Sequence, residues 1–280
     1  ENITLAAADN AAVLASGTLG VTAGPNRLQL SGNSSFRSGT CQTVTVTAKD
    51  ANGATKAVLA DTTIDLDDGA ADGIFYSDNV CTAIITQTVI STASNNSVVY
   101  YKDLVAESIT YSATDSIANL TASTLNVTSG PDHLLLAGSG NFKSGTCQAY
   151  TVTTKDAANS TKAVLADTLI NFSDGAGSGV FFSDNACSST VTQLAISSAA
   201  SGTTVYYQNN VGESVTLTAS DNAASLTSAT LNLVTGPDRL AITGSTPFKS
   251  GACQAFAVVT KDTSGNLVDV LADVTVILSY

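Results

Sequence analysis

Gly24-Pro25, Ser38-Gly39 and Cys41 recur as Gly130-Pro131, Ser144-Gly145 and Cys147, and again as Gly236-Pro237, Ser250-Gly251 and Cys253, at a constant offset of 106 residues. No insertion breaks the register. A period of this length is too long for a solenoid unit and falls at the common size of an independently folding domain. The chain therefore reads as a tandem array: residues 24–129 and 130–235 are two whole copies, residues 1–23 match 107–129, and residues 236–280 match the opening of a copy. On this reading the first 23 residues are the closing hairpin of a preceding module, and the chain is a section of a longer array. Arrays of like modules span distance or multiply weak contacts, whereas an enzyme usually needs one copy of its site.

Within one copy the dominant pattern is period-2 alternation. Val44, Val46 and Ala48 alternate with Thr43, Thr45 and Thr47, and Tyr150 and Val152, then Phe256 and Val258, keep the pattern in later copies. Thr62, Ile64 and Leu66 face away from Thr63, Asp65 and Asp67 in the same way, and the matching segment 274–278 predicts a third strand for the last copy. Further strands are predicted at 27–32, 73–77, 85–91, 97–103, 107–114 and 123–129. Turn clusters such as DDGAADG and ASNN separate several of them. No segment carries a sustained helical period. Seven or eight short strands in about 100 residues specify an all-β fold of tandem immunoglobulin-like antiparallel sandwiches. Closing strands that run almost directly into the next Gly-Pro predict abutting, semi-stiff joints.

The five cysteines fall on the repeat. Cys41 and Cys81 are 40 apart, as are Cys147 and Cys187, while Cys253 has no counterpart before Tyr280. Two bridges within domains, Cys41 to Cys81 and Cys147 to Cys187, are the economical pairing, with Cys253 unpaired by truncation; reduced structural thiols are the alternative. Such bridges imply an oxidising compartment. Cys41 shares parity with the outward threonines, so a bridge there lies at an edge or outer surface rather than across the core. One histidine and no CxxC argue against zinc.

The acids outnumber the bases by 23 to 11, giving a formal charge of −12 with no run of like sign. That balance argues against nucleic acid and anionic membranes as partners. No apolar stretch is long enough to span a membrane as a helix, and the opening residues lack the basic start and apolar core of a signal peptide.

Recurring acids (Asp50, Asp156 and Asp262; Asp61, Asp167 and Asp273; Asp68 and Asp174; Asp78 and Asp184; Asp115 and Asp221) raise the question of calcium at module junctions. The densest acidic loop is not kept, since Asp65, Asp67 and Asp72 become Asn171, Ser173 and Ser178, so turn-forming roles are the expectation and no metal or other cofactor is assigned. Tyr100-Tyr101 and Tyr206-Tyr207 place one ring inward and one outward; the outward ring is read as cross-strand packing. Lys49, Lys155 and Lys261 each precede Asp in a polar turn, which argues against an isopeptide crosslink. His133 replaces Arg27 and Arg239 and is read as a surface residue. Asn-x-Ser/Thr triplets, as at Asn33, Asn119 and Asn159, matter only under glycosylation. No nucleophile motif, P-loop or HExxH occurs, and no catalysis is expected.

The order Gly-Pro, a short apolar strand, SGTCQTVTVTAKDANG, FYSDNVC, VVYYKD and ESITYSATD resembles the bacterial immunoglobulin-like repeats of large surface proteins. In overall build it is similar to the stalk modules of invasin-type and intimin-type adhesins. The resemblance implies an extracellular, cell-surface location, a structural or adhesive role and no catalysis. Three readings are then open: a stalk or fibre section of an adhesin whose partners are further copies of the same repeat in cis, a filament subunit that self-associates by strand addition between the opening hairpin of one chain and the incomplete last copy of another, or modules that bind a host or prey surface ligand. Loop residues Ala51-Asn52-Gly53, Ala157-Ala158-Asn159 and Thr263-Ser264-Gly265 vary between copies without a repeated aromatic or Arg anchor, which favours the first.

Overall fold

The alternation of small apolar and polar residues becomes two pleated layers in the computed structural model, which describes residues 2–11, 14–69, 72–175 and 178–279. Ala70 and Ala71, at the centre of the DDGAADG turn, lie outside the described residues. The chain divides into two units, Glu1–Ser129 and Gly130–Tyr280, and every described regular element is a strand or bridge.

The first unit opens with a hairpin of β1 (Asn2–Ala7) and β2 (Gly17–Thr22). Its sandwich follows: β3 (Arg27–Gly32), β4 (Ser35–Arg37), β5 (Gln42–Lys49), β6 (Thr62–Asp67), β7 (Ile74–Tyr76), β8 (Ile84–Ile85), β9 (Gln87–Ile90), β10 (Asn96–Lys102), β11 (Ser108–Asp115) and β12 (Ser123–Gly130). One sheet runs β3-β5-β10-β7-β8 and the other β4-β12-β11-β6-β9. Val44, Val46, Ala48 and Val99 of the first sheet meet Ile64, Ile90 and Ala113 of the second at 1% exposure or less. Burying each valine or isoleucine among them contributes about 1.5–3 kcal/mol. This is the immunoglobulin-like sandwich that the alternation predicts.

The second unit repeats the plan with β13 (His133–Gly138), β14 (Asn141–Lys143), β15 (Gln148–Lys155), β16 (Thr168–Ser173), β17 (Gly179–Phe182), β18 (Gln193–Ile196), β19 (Gly202–Asn209), β20 (Ser214–Asp221) and β21 (Ala229–Gly236). Its sheets run β13-β15-β19-β17 and β14-β21-β20-β16-β18. A two-stranded pair follows, β22 (Arg239–Gly244) with β23 (Phe256–Lys261).

Three details depart from the sequence expectations. The strand predicted at 85–91 is two strands in different sheets: β8 pairs with β7 and β9 with β6, the chain crossing at Thr86, whose carbonyl accepts from Leu66 N–H. A short strand at Ser35–Arg37 is added. Its counterpart β14 runs parallel to the end of β21, and Phe36 and Phe142 anchor the two by burial. The third strand expected at 274–278 does not form. Its counterpart β16 is sandwiched between β18 and β20 with Ile170 fully buried, whereas 274–278 has neither neighbour and Val276 stays 39% exposed. A strand without a ladder has unpaired backbone groups and no reason to hold its pleat.

Candidate functional site: stapled turns, carboxylate clasps and a docked loop

Cys41 sits just before β5 and Cys81 in the turn between β7 and β8; their sulfurs are 2.05 Å apart with Cα atoms at 5.9 Å. Cys147 and Cys187 repeat the arrangement at 2.03 Å and 5.9 Å. Both ends of each bridge belong to one sheet, where β10 (or β19) separates the joined strands. The bridge therefore closes a sheet end and does not cross between layers, which is the placement that the parity of Cys41 predicts. Cys253 is free and exposed.

The second cysteine of each pair has a left-handed backbone, with φ of 55° at Cys81 and 50° at Cys187, a region that costs a residue with a Cβ about 1–2 kcal/mol. A carboxylate holds it there. Asp78 accepts from the backbone N–H groups of Val80 at 3.1 Å, Thr82 and Ala83, and Cys81 N–H closes the turn on the Asp78 carbonyl. Asp184 takes Ala186, Ser188 and Ser189 in the same way. The Ala83 N–H, against slight burial and with help from Thr82 and Val80, holds the Asp78 carboxyl below the usual range; Ser189 N–H leads the same effect at Asp184.

Seven of the other recurring acids are also committed to backbone. Asp50 clasps Asn52 and Ala54, Asp156 clasps Ser160, and Asp262 clasps Asn266. Asp61 reaches Thr92 N–H at 2.7 Å, and Asp167 reaches Ser198 N–H at 2.7 Å. Asp115 and Asp221 each hold a turn with a left-handed alanine, Ala118 or Ala224. These bonds assign the acids to turns, the role their residue type suits. Among the described residues no three His, Cys, Asp or Glu groups stand together as a metal site. Lys49 and Lys155 donate to Thr55 and Thr161 at 2.8 and 2.7 Å, and His133 bonds its neighbour Asp132 at 3.0 Å.

Asp221 supplies a direct test of the clasps. Burial works against its charge, but Ser225 Oγ and the N–H groups of Ala223, Ser225 and Leu226 more than offset it, leaving the carboxyl below its ordinary value. Asp221→Ala is expected to cost about 1.5–3 kcal/mol at pH 7. The sign follows from linkage: a depressed folded value gives stability that is present above about pH 4 and is lost as pH falls through that folded value. Urea denaturation at pH 7 and pH 2.5 checks it, the gap between wild type and variant narrowing in acid.

Tyr101 and Tyr207 point inward and are fully buried, whereas Tyr100 and Tyr206 lie on the outer face, partly exposed. Tyr101 donates to Asp68 Oδ2 at 2.7 Å and Tyr207 to Asp174 Oδ2 at 2.9 Å. Burial, then the adjoining carboxylate, pushes both phenols far above their ordinary value. A Cβ at Gly73 or Gly179 would fall on these hydroxyls, so the glycines let the strand approach the ring.

In the second unit the turn after β23 docks on the end of the sandwich. Thr263 N–H donates to Ser144 Oγ at 3.0 Å, Gly212 N–H to Asp262 Oδ2 at 3.0 Å, and Ser264 N–H to the Asn210 carbonyl at 3.2 Å. Lys143 Nζ meets Asp238 at 2.9 Å. Ser144 and Asp262 are buried, and Leu271 lies where a Cβ on Gly236 would go. Sequence reasoning missed this contact. Its signal was the recurring Ser-Gly pair, which reads as an ordinary turn until the buried hydroxyl is seen to take an N–H from the next segment.

No known family profile matches the chain, and no curated protein matches it in sequence. Among solved structures, the D00-D0 domain of intimin aligns over 74% of this chain and 98% of its own, at 14% identity and TM-score 0.39. The Yersinia pseudotuberculosis adhesin InvE aligns over 75% of this chain at 18% identity and TM-score 0.31. A β-glycosidase from Bacteroides vulgatus aligns over 75% at 11% identity and TM-score 0.30. The aligned region spans 58% of the InvE chain and 25% of the glycosidase. At these scores the likeness carries nothing about binding or catalysis.

Proposed function

We propose that the chain is a structural, extracellular stalk or fibre section of a bacterial cell-surface protein, part of an adhesin. On this reading residues 24–129 and 130–235 are tandem sandwich modules, residues 1–23 the closing hairpin of a module before them and residues 236–280 part of one after them. One observation carries it: the chemically conspicuous residues are consumed by mechanical tasks. Cysteines staple sheet ends, carboxylates fasten turns through backbone N–H groups, and the Asp262–Asn266 turn docks through half-buried hydrogen bonds. Bridges of this kind persist in oxidising compartments, which suits a module outside the cell. A docked turn with a half-buried Ser144–Thr263 bond supports a joint that resists bending.

Electron microscopy of the full-length protein on its native cell surface tests the reading. Thin beaded stalks are the expected result. Ordered helical fibres would replace the stalk with a self-assembling filament, and a molecule folded back on the surface would contradict both.

A further inference from the structure

The two units differ at one buried polar pair, and the difference has a chemical consequence. In the second unit Asn209 follows the inward Tyr207 at the end of β19. Its Oδ1 accepts from Val211 N–H at 2.9 Å, and its Nδ2 donates to Glu213 Oε1 at 2.9 Å. The residue 106 positions earlier is Asp103, in the same frame: Asp103 Oδ1 accepts from Val105 N–H at 2.8 Å, and the Asp103 carbonyl accepts from Gly39 N–H, as that of Asn209 does from Gly145. Asp103 is fully buried. Its Oδ2, at the place of the Asn209 amide, has no hydrogen-bond partner, and neither has the buried Oε1 of Glu107, the counterpart of Glu213. A donor has been replaced by an acceptor, and two carboxylate oxygens are left facing one need.

We infer that Asp103 and Glu107 share a single proton, carried on Asp103 Oδ2 and donated to Glu107 Oε1, so that the first unit contains a proton-dependent lock where the second has a permanent amide. Loss of the proton to solvent leaves two anions and two unsatisfied buried acceptors at the end of the sandwich, beside the turn that joins β10 to β11.

The acids around the pair act in the same direction. Asp68 just after β6 and Asp72 in the following loop bear on it with their charge, the phenols of Tyr101 and Tyr111 lie near it, and the Tyr111 hydroxyl is itself buried without a partner. The cations of the flanking elements, Lys102 on β10 and Arg37 on β4, occupy the alternate, partly exposed positions of their strands. Burial first, then the charges of Glu107, Asp68 and Asp72, push the Asp103 carboxyl up to about 6 against the opposing bond from Val105. A folded value raised above the unfolded one gives stability that is complete below about pH 4 and is lost as pH rises through about 6. Over that span the unfolding equilibrium of the first unit shifts about a hundredfold toward the unfolded state.

Calorimetry of the oxidised full chain between pH 4.5 and 7.5 tests the lock through reciprocal variants. Asp103→Asn supplies a permanent donor, so its unfolding midpoint at pH 7.5 is expected to rise by roughly 10 °C and to stay level across the range. Asn209→Asp is expected to give the second unit the same decline with pH. The inference is overturned if Asp103→Asn lowers the midpoint at pH 7.5, or if Asn209→Asp leaves the pH profile unchanged. It is overturned equally if millimolar calcium at pH 7.5 raises the midpoint of the wild type and not of Asp103→Asn, because the oxygens would then hold a cation and not a proton.

Discussion

Replacing Cys147 and Cys187 together by serine is expected to lower the stability of the second unit by about 4 kcal/mol and its unfolding midpoint by 15 °C or more. The bridge joins residues 40 apart, and closing a loop of that length removes about that much conformational free energy from the unfolded chain. The folded state loses support as well. Cys187 holds a left-handed backbone that the Asp184 clasp alone must then maintain. The serine pair leaves the packing of the core untouched, since the bridge closes the end of one sheet and does not cross the interior. Urea denaturation of the double variant against the oxidised wild type reads the loss. A change below 1 kcal/mol would mean that the staple does not restrain the unfolded chain.

The second large effect lies in the core. Tyr207→Ala is expected to cost about 3–5 kcal/mol. The ring packs against Phe142, Tyr150 and Phe181 with centroids 6.2, 6.4 and 4.9 Å away, and its hydroxyl bonds Asp174 in the interior. Truncation leaves a cavity and removes the phenol donor from a buried carboxylate. The neighbouring change Tyr206→Ala, one residue away on the outer face, is expected to cost under about 1 kcal/mol. Thermal unfolding of the pair separates strand parity from mere aromatic content: equal losses at the two positions would show that the inward and outward faces had been misassigned.

Parity was the most legible feature of this chain. The alternation at 43–48 and 62–67 located both sheets and the outward parity of Cys41, and strand parity put one tyrosine of each pair inward, because in a half-buried strand the pattern and the burial are the same fact. What alternation does not carry is pairing. Ile84–Ile85 and Gln87–Ile90 read as one continuous strand-forming run, yet they ladder with different sheets. Ser35–Arg37 is too short to show a period and is held by a single buried Phe36. The segment 274–278 has a strand's pattern without a strand's neighbours. Val58, buried in an irregular loop by backbone bonds to Ser94 and Ala93, belongs to no period at all. For the candidate site, spacing on the repeat pointed to the cysteines. The carboxylate clasps were legible as turn chemistry but not by partner, and the Ser144–Thr263 contact depends on a fold-back that no local pattern encodes. The Asp103–Glu107 pair was invisible for a different reason: exchange of Asp for Asn between copies looks conservative until its hydrogen-bonding partner is known.

Stretching single oxidised chains by atomic force microscopy tests the load-resisting spacer most directly. Each whole module of 106 residues is expected to yield in one discrete step of about 20 nm, because the 40 residues closed by its disulfide stay locked, and the step is expected to lengthen to about 35 nm with reductant as that loop is released. Extension at low force without steps, or steps of equal length with and without reductant, would contradict the account.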